Sequence, residues 1–120
     1  MPATIYKVII PQYADWDDAI TVTDATSGEP LDLTGYTAKI QGRAAYTDTS
    51  PLFEISEVVS ADGYIILGTD GTVKWKLKAS KTATLAAPAE VVWDLRLVAP
   101  DGAVLRPVEG TATVSPAATR

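Results

Sequence analysis

Residues 91–98 read Val-Val-Trp-Asp-Leu-Arg-Leu-Val. In an extended chain this puts Trp93, Leu95 and Leu97 on one side and Asp94 and Arg96 on the other. Alternation at every second residue marks a strand with one buried and one wet face. Pro100-Asp101-Gly102 supplies a turn, Ala103-Val104-Leu105-Arg106 returns, and Gly110-Thr111-Ala112-Thr113-Val114-Ser115-Pro116 reads as a closing strand. A hairpin followed by a terminal strand points to a β-sandwich.

The same rhythm recurs upstream. Ile20 and Val22 alternate with Thr21 and Thr23, and Tyr36, Ala38 and Ile40 with Thr37, Lys39 and Gln41. Phe53 and Ile55 alternate with Glu54 and Ser56, and Val73, Trp75 and Leu77 with Lys74, Lys76 and Lys78. Ser27-Gly28-Glu29-Pro30 separates the first two runs, and Asp62-Gly63, Asp70-Gly71 and Asp101-Gly102 read as hairpin turns. One stretch, Ala79–Ala86, favours a helical turn, with Ser80 as its N-cap and Pro88 as its stop. The reading is an all-β, antiparallel Ig-like β-sandwich of about seven to nine strands with at most one short helical turn. It forms a single domain over residues 1–120. Trp75, Trp93, Tyr36, Phe53, Leu95 and Leu97 are the expected core, each large side chain contributing about 1.5–3 kcal/mol on burial.

The run Ile5–Ile10 is apolar on both faces and ends at Pro11. It reads either as a buried strand or as an arm, residues 1–11, that docks on a neighbour. As an arm, its deletion should leave a folded monomer. Residues 115–120 form a C-terminal tail.

Composition narrows the chemistry. The chain has no Cys and no His. Disulfides, the usual zinc ligands and triads built on His are therefore absent. Paired carboxylates remain the one catalytic scheme the inventory permits, yet Asp24, Asp62, Asp70 and Asp101 sit at turns, where Asp is expected. No enzyme activity, catalytic residue, cofactor or metal site is assigned. A net charge of -5 argues against a nucleic-acid partner. The first residues lack the apolar core of a signal peptide, and no stretch has the roughly 18 apolar residues of a membrane span.

Three groups deserve weighing as sites. Asp15, Asp17 and Asp18 surround Trp16. Calcium needs six or more converging oxygens, so a polar strand entry beside a half-buried Trp16 is the preferred reading. Lys74, Lys76 and Lys78 form a basic row, read as a solvated face or a guarded edge, or as a contact for an acidic neighbouring subunit. Tyr6, Tyr13, Trp16 and Tyr46 lie in less regular segments; burial in the core or in an interface, where such aromatics serve as anchors, is the preferred reading, and a sugar platform is the alternative. The candidate interface residues are Ile5, Tyr6, Val8, Ile10, Tyr13, Trp16, Tyr46, Lys74, Lys76, Lys78, Thr119 and Arg120.

Two stretches carry a family resemblance. One is Glu29-Pro30-Leu31-Asp32-Leu33-Thr34-Gly35-Tyr36-Thr37-Ala38-Lys39-Ile40. The other runs through Trp93-Asp94-Leu95-Arg96-Leu97, Asp101-Gly102, Val104-Leu105-Arg106, Glu109-Gly110-Thr111 and Thr113-Val114-Ser115-Pro116 to Thr119-Arg120. Together they cover about half the chain. They resemble a family of small virion proteins of tailed bacteriophages and prophages, similar to the amino-terminal Ig-like domain of the upper baseplate protein of lactococcal phages. The resemblance implies a non-enzymatic structural protein of the virion, assembled in the bacterial cytoplasm. Its implied partners are other virion structural proteins and further copies of itself in a symmetric assembly, without nucleic acid or membrane. A capsid decoration protein and a carbohydrate-binding module for a host glycan are the alternatives. The departure from the family is the apolar Ile5–Ile10 segment, where members begin with a polar lead-in.

Overall fold

The turn residues at 26–30, 68–71 and 99–103 divide the chain into strands that pair as two sheets. The computed structural model describes residues 4–24 and 26–119. Among these, nine strands and one short helix are found. The strands are β1 (Thr4–Ile5), β2 (Val8–Pro11), β3 (Trp16–Thr21), β4 (Thr37–Arg43), β5 (Phe53–Ser56), β6 (Gly63–Leu67), β7 (Thr72–Leu77), β8 (Ala89–Val98) and β9 (Val104–Ser115), and the helix is α1 (Ala79–Thr82). The larger sheet runs β1-β9-β8-β4-β5, with β2 also on β9, and the smaller runs β3-β7-β6. The two pack face to face as the expected β-sandwich.

Inward residues of both sheets meet at three tryptophans. Trp16 of β3, Trp75 of β7 and Trp93 of β8 pack with ring centroids 5.6–5.8 Å apart. Phe53 meets Trp16 edge-on at 6.0 Å, and Tyr6 meets Trp93 at 6.2 Å. Edge-to-face pairs of this kind add about 0.5–1.5 kcal/mol each beyond area burial. Leu95 and Leu97 complete this core as expected, whereas Tyr36 is only partly buried.

Several local expectations change once the strands pair. The closing segment is not a separate strand: residues 104–115 form one strand, β9, along the whole of β8. The ladder steps from Leu95↔Val108 to Leu97↔Leu105, so Arg106 and Pro107 together oppose Arg96. This bulge accommodates a proline that has no N–H to give the ladder. The N-terminal run is likewise split. β1 and β2 both lie parallel to β9, with Thr4 opposite Val108 and Val8 opposite Ala112. All other strand pairings are antiparallel. The segment therefore belongs to the chain's own sheet, with Ile10 fully buried, and is not an arm that the fold can spare.

Asp70-Gly71 and Asp101-Gly102 do close hairpins, β6–β7 and β8–β9. Asp62-Gly63 does not, because it leads from β5 in one sheet to β6 in the other. The helix crosses from β7 back to β8 as expected, but Ser80 does not cap it. Lys78 holds the cap position without a side-chain bond. The cap comes from Asp15, whose Oδ1 accepts from the Ala79 amide at 2.8 Å. Pro88 lies beyond the helix end at Thr82, across a cis bond from Ala87. At the Asp32–Gly35 corner the Asp32 carboxylate accepts from the Thr34 amide and hydroxyl, Gly35 has φ of 80°, and Leu33 is buried.

Candidate interaction surfaces

β2 sets the first surface. Its register on β9 turns Tyr6, Val8 and Ile10 toward the core and leaves Ile5, Lys7 and Ile9 exposed. Ile5, expected as a contact residue, is exposed, and so is Ile9, which reasoning from sequence passed over. Ile10 and Trp16 are not: they are 0% and 3% exposed and belong to the core. The run carries only Lys7 as a polar marker, so the face that points outward is decided by the pairing.

Tyr6 closes the open side between the two sheets. Asp18 of β3 points inward there, and the Tyr6 hydroxyl donates to its Oδ1 at 3.5 Å. The Asp18 charge, with burial and this bond, raises the Tyr6 hydroxyl above its ordinary pKa. The three aspartates around Trp16 are dispersed rather than convergent. Asp15 caps α1, exposed Asp17 faces out, and Asp18 faces Tyr6. Among the described residues no group of three or more His, Cys, Asp or Glu side chains is placed to hold a metal ion.

Lys74 and Lys76 share the outer side of β7 and Lys78 follows its last residue, but β7 is the centre of its sheet, so they guard no edge. Lys76 Nζ lies 3.8 Å from both Asp15 and Asp17. Exposed pairs of this kind contribute about 0–1 kcal/mol. Lys74 is exposed; the Lys78 amide donates to the Asp62 carbonyl at 2.8 Å. The face also holds an aromatic that the chain order hides, since β6 brings Tyr64 opposite Lys76 and Ile66 opposite Lys74.

The remaining expected residues are spread apart. Tyr13 adopts φ of 66°, an uncommon conformation for a non-glycine residue, and its side chain is partly exposed. Exposed Tyr46 stands by Gln41, Arg43 and Asp94 on the outer side of the larger sheet. Burial raises the Asp94 carboxyl, while Arg106, with Nη1 3.9 Å away, works in the other direction. The tail is held by Gln12, which donates to Leu85 O at 2.9 Å and accepts from the Ala117 amide at 3.4 Å. Thr119 is exposed, and Arg120 lies outside the described residues.

Two further concavities mark the surface. At one end of the sandwich a cleft of about 400 Å³ is lined by Leu31, Tyr36, Val104 and Leu105, with Asp24 and Asp101 at its rim. The second, of about 680 Å³, is an open groove along β6. The strand behind that groove was missed in the sequence. Tyr64-Ile65-Ile66-Leu67 has no alternation to register, and its only sign is an uncharged apolar run between Asp62-Gly63 and Asp70-Gly71.

Compared with known protein families and with curated proteins, the chain matches none.

Proposed function

We propose that this chain is a non-enzymatic structural subunit of a tailed-bacteriophage virion, a building block of the tail, baseplate or fibre attachment that works by packing against neighbouring subunits. One observation carries the reading. The two stretches that resemble the phage family form one continuous unit. The Asp32–Gly35 corner leads into β4, and β4 pairs with β8 from Thr37↔Val98 to Arg43↔Val92, while β8 pairs in turn with β9. The resemblance therefore rests on residues that meet in space and not only in order. Exposed Ile5, Ile9, Tyr13 and Tyr46 are the contact residues that this reading favours.

The experiment is fractionation of purified particles from cells that carry the gene. After gentle disruption the protein should sediment with tails and be found there by mass spectrometry. Sedimentation with heads would make it a decoration protein, and absence from purified particles would overturn the reading.

A host-glycan module is the second reading. It draws on the end cleft, where the Tyr36 ring lies among apolar side chains and two carboxylates can accept from sugar hydroxyls. Binding of the protein to a glycan array, lost on Tyr36→Ala, would favour it.

A further inference from the structure

Three connections meet at one end of the sandwich: the link from β3 to β4, the β6–β7 turn and the β8–β9 turn. They are tied together. The Val22 amide donates to Gly71 O at 2.8 Å and the Leu33 amide to Gly68 O at 3.4 Å, and a methyl group on Gly35 would come within 2.9 Å of the Pro100 ring. The end cleft of about 400 Å³ lies between the first connection and the last. Leu31, Tyr36, Val104 and Leu105 give it apolar walls, and Asp24 and Asp101 line it beside them. A concave, mostly apolar site with a few fixed polar groups is the usual form of a binding pocket.

Charge is concentrated at the same end. The three connections carry Asp24, Glu29, Asp32, Asp70 and Asp101 and neither Lys nor Arg. These carboxylates account for the whole net charge of -5, since acids and bases balance in the rest of the chain. We propose that the cleft receives a basic segment of a partner protein, a Lys or Arg whose aliphatic stem lies on the apolar walls and whose charge meets Asp24 and Asp101. Long cationic side chains bury their stems while the charged head stays at the rim.

The carboxylates are held in place before any partner arrives. Asp24 Oδ1 accepts from the Thr26 and Ser27 amides at 2.8 and 3.1 Å, and Asp101 Oδ1 accepts from the Ala103 amide at 3.0 Å. Little ordering is left to lose on binding. Bonds within the turns also hold the Asp24, Asp32 and Asp70 carboxyls below their ordinary value, so the end keeps its charge into mild acid. The cation among the lining residues, Arg106, is paired with Glu109 at 3.3 Å and Asp94 at 3.9 Å. A tyrosine ring beside carboxylates suits an ammonium or guanidinium group, whereas a neutral sugar gains nothing from the surrounding charge. Two copies meeting at this end would set carboxylates against carboxylates. The contact does not depend on membership of a particle, so fractionation of virions and the test below fail separately.

The probe is a fluorescent peptide, acetyl-Lys-Leu-Lys-Leu-Lys-amide, with acetyl-Glu-Leu-Glu-Leu-Glu-amide as its charge-reversed control. Anisotropy is read at about 0.1 M salt, where exposed charges more than roughly 10 Å apart are screened. The basic peptide should bind and the acidic one should not. Asp24→Asn/Asp101→Asn keeps an acceptor for each turn and should weaken binding about tenfold, as loss of two exposed ion pairs would. Its circular dichroism spectrum should not change. Asp48→Asn/Glu90→Gln removes the same charge at exposed positions outside the three connections and should leave binding unchanged. No binding of the basic peptide, or binding that survives Asp24→Asn/Asp101→Asn, overturns the proposal. Equal loss in the two double variants does so too, because bulk charge alone would then account for it. So does a protein that ignores the basic peptide and binds a neutral glycan in a manner lost on Tyr36→Ala.

Discussion

Gly110 of β9 runs so close beneath Tyr6 that a methyl group on its Cα would overlap the Tyr6 carbonyl oxygen. The Tyr6 amide meanwhile donates to Glu109 O at 2.8 Å. The chain passes from β1 to β2 at this point, and only a residue without a side chain lets it lie flat on β9. Gly110→Ala should therefore lift the N-terminal segment and destabilise the protein by about 1–3 kcal/mol, the usual range for overpacking. Urea denaturation measures the loss. Near-ultraviolet circular dichroism should change with it as Tyr6 leaves Trp93.

Ile9 and Ile10 are neighbours with opposite fates. Ile10→Ala opens a cavity in the core and should cost about 2–5 kcal/mol. Ile9→Ala, on the exposed side, should stay within about 0.5 kcal/mol. Paired chemical denaturation of the two variants checks the register of β2, and equal effects would refute it. Deletion of residues 1–11, which removes both, should unfold or severely weaken the protein.

Asp15→Ala removes the cap on the Ala79 amide. Loss of a helix cap costs about 1 kcal/mol, and the exposed pair with Lys76 adds little. Asp15→Asn keeps an acceptor and should recover most of the difference in thermal melts. Recovery by Asn separates capping from charge.

Acid stability should have two components of opposite sign. The Ser27 and Thr26 amides hold the Asp24 carboxyl below its ordinary value, Thr34 holds Asp32 there, and Thr72 holds Asp70 there. Each binds its proton less tightly folded than unfolded. Their stabilisation is complete above the ordinary value of 3.8 and is lost as pH falls through the folded values. Asp94 is raised, chiefly by burial. The folded state holds its proton more tightly, so stability declines as pH rises from 3.8 through the folded value. Denaturation curves across this range should show the decline flattened in Asp94→Asn, with the acid limb of the other three retained.

Where alternation is strict, the sequence was enough. β4, β5, β7 and β8 carry period-two patterns, and Trp75, Trp93, Phe53, Leu95 and Leu97 are buried accordingly. Legibility ends where a segment is apolar on both sides. Ile5–Ile10 could not declare its faces until β9 supplied a register, which is why Ile10 looked like a contact and Ile9 did not. β6 gave no period at all. Neighbours across strands were also hidden: that Lys74 and Lys76 share one side follows from their spacing, but Tyr64 beside Lys76, and the central position of β7, follow only from pairing. The Ser80 cap failed for a related reason, since the group that fills the role comes from 64 residues away.

The parallel seating of β2 on β9 bears on how the chain is made. Val8 pairs with Ala112 and Pro11 with Ser115, so an early segment waits on a late one. The larger sheet cannot close while β9 is still within the ribosome, and residues 4–11 emerge long before their hydrogen-bonding partners exist. Contacts of such wide sequence separation slow folding, because the loop must be closed before they form. The expected order is therefore β6–β7 and β8–β9 as local hairpins first, with the N-terminal strands docking as the final step.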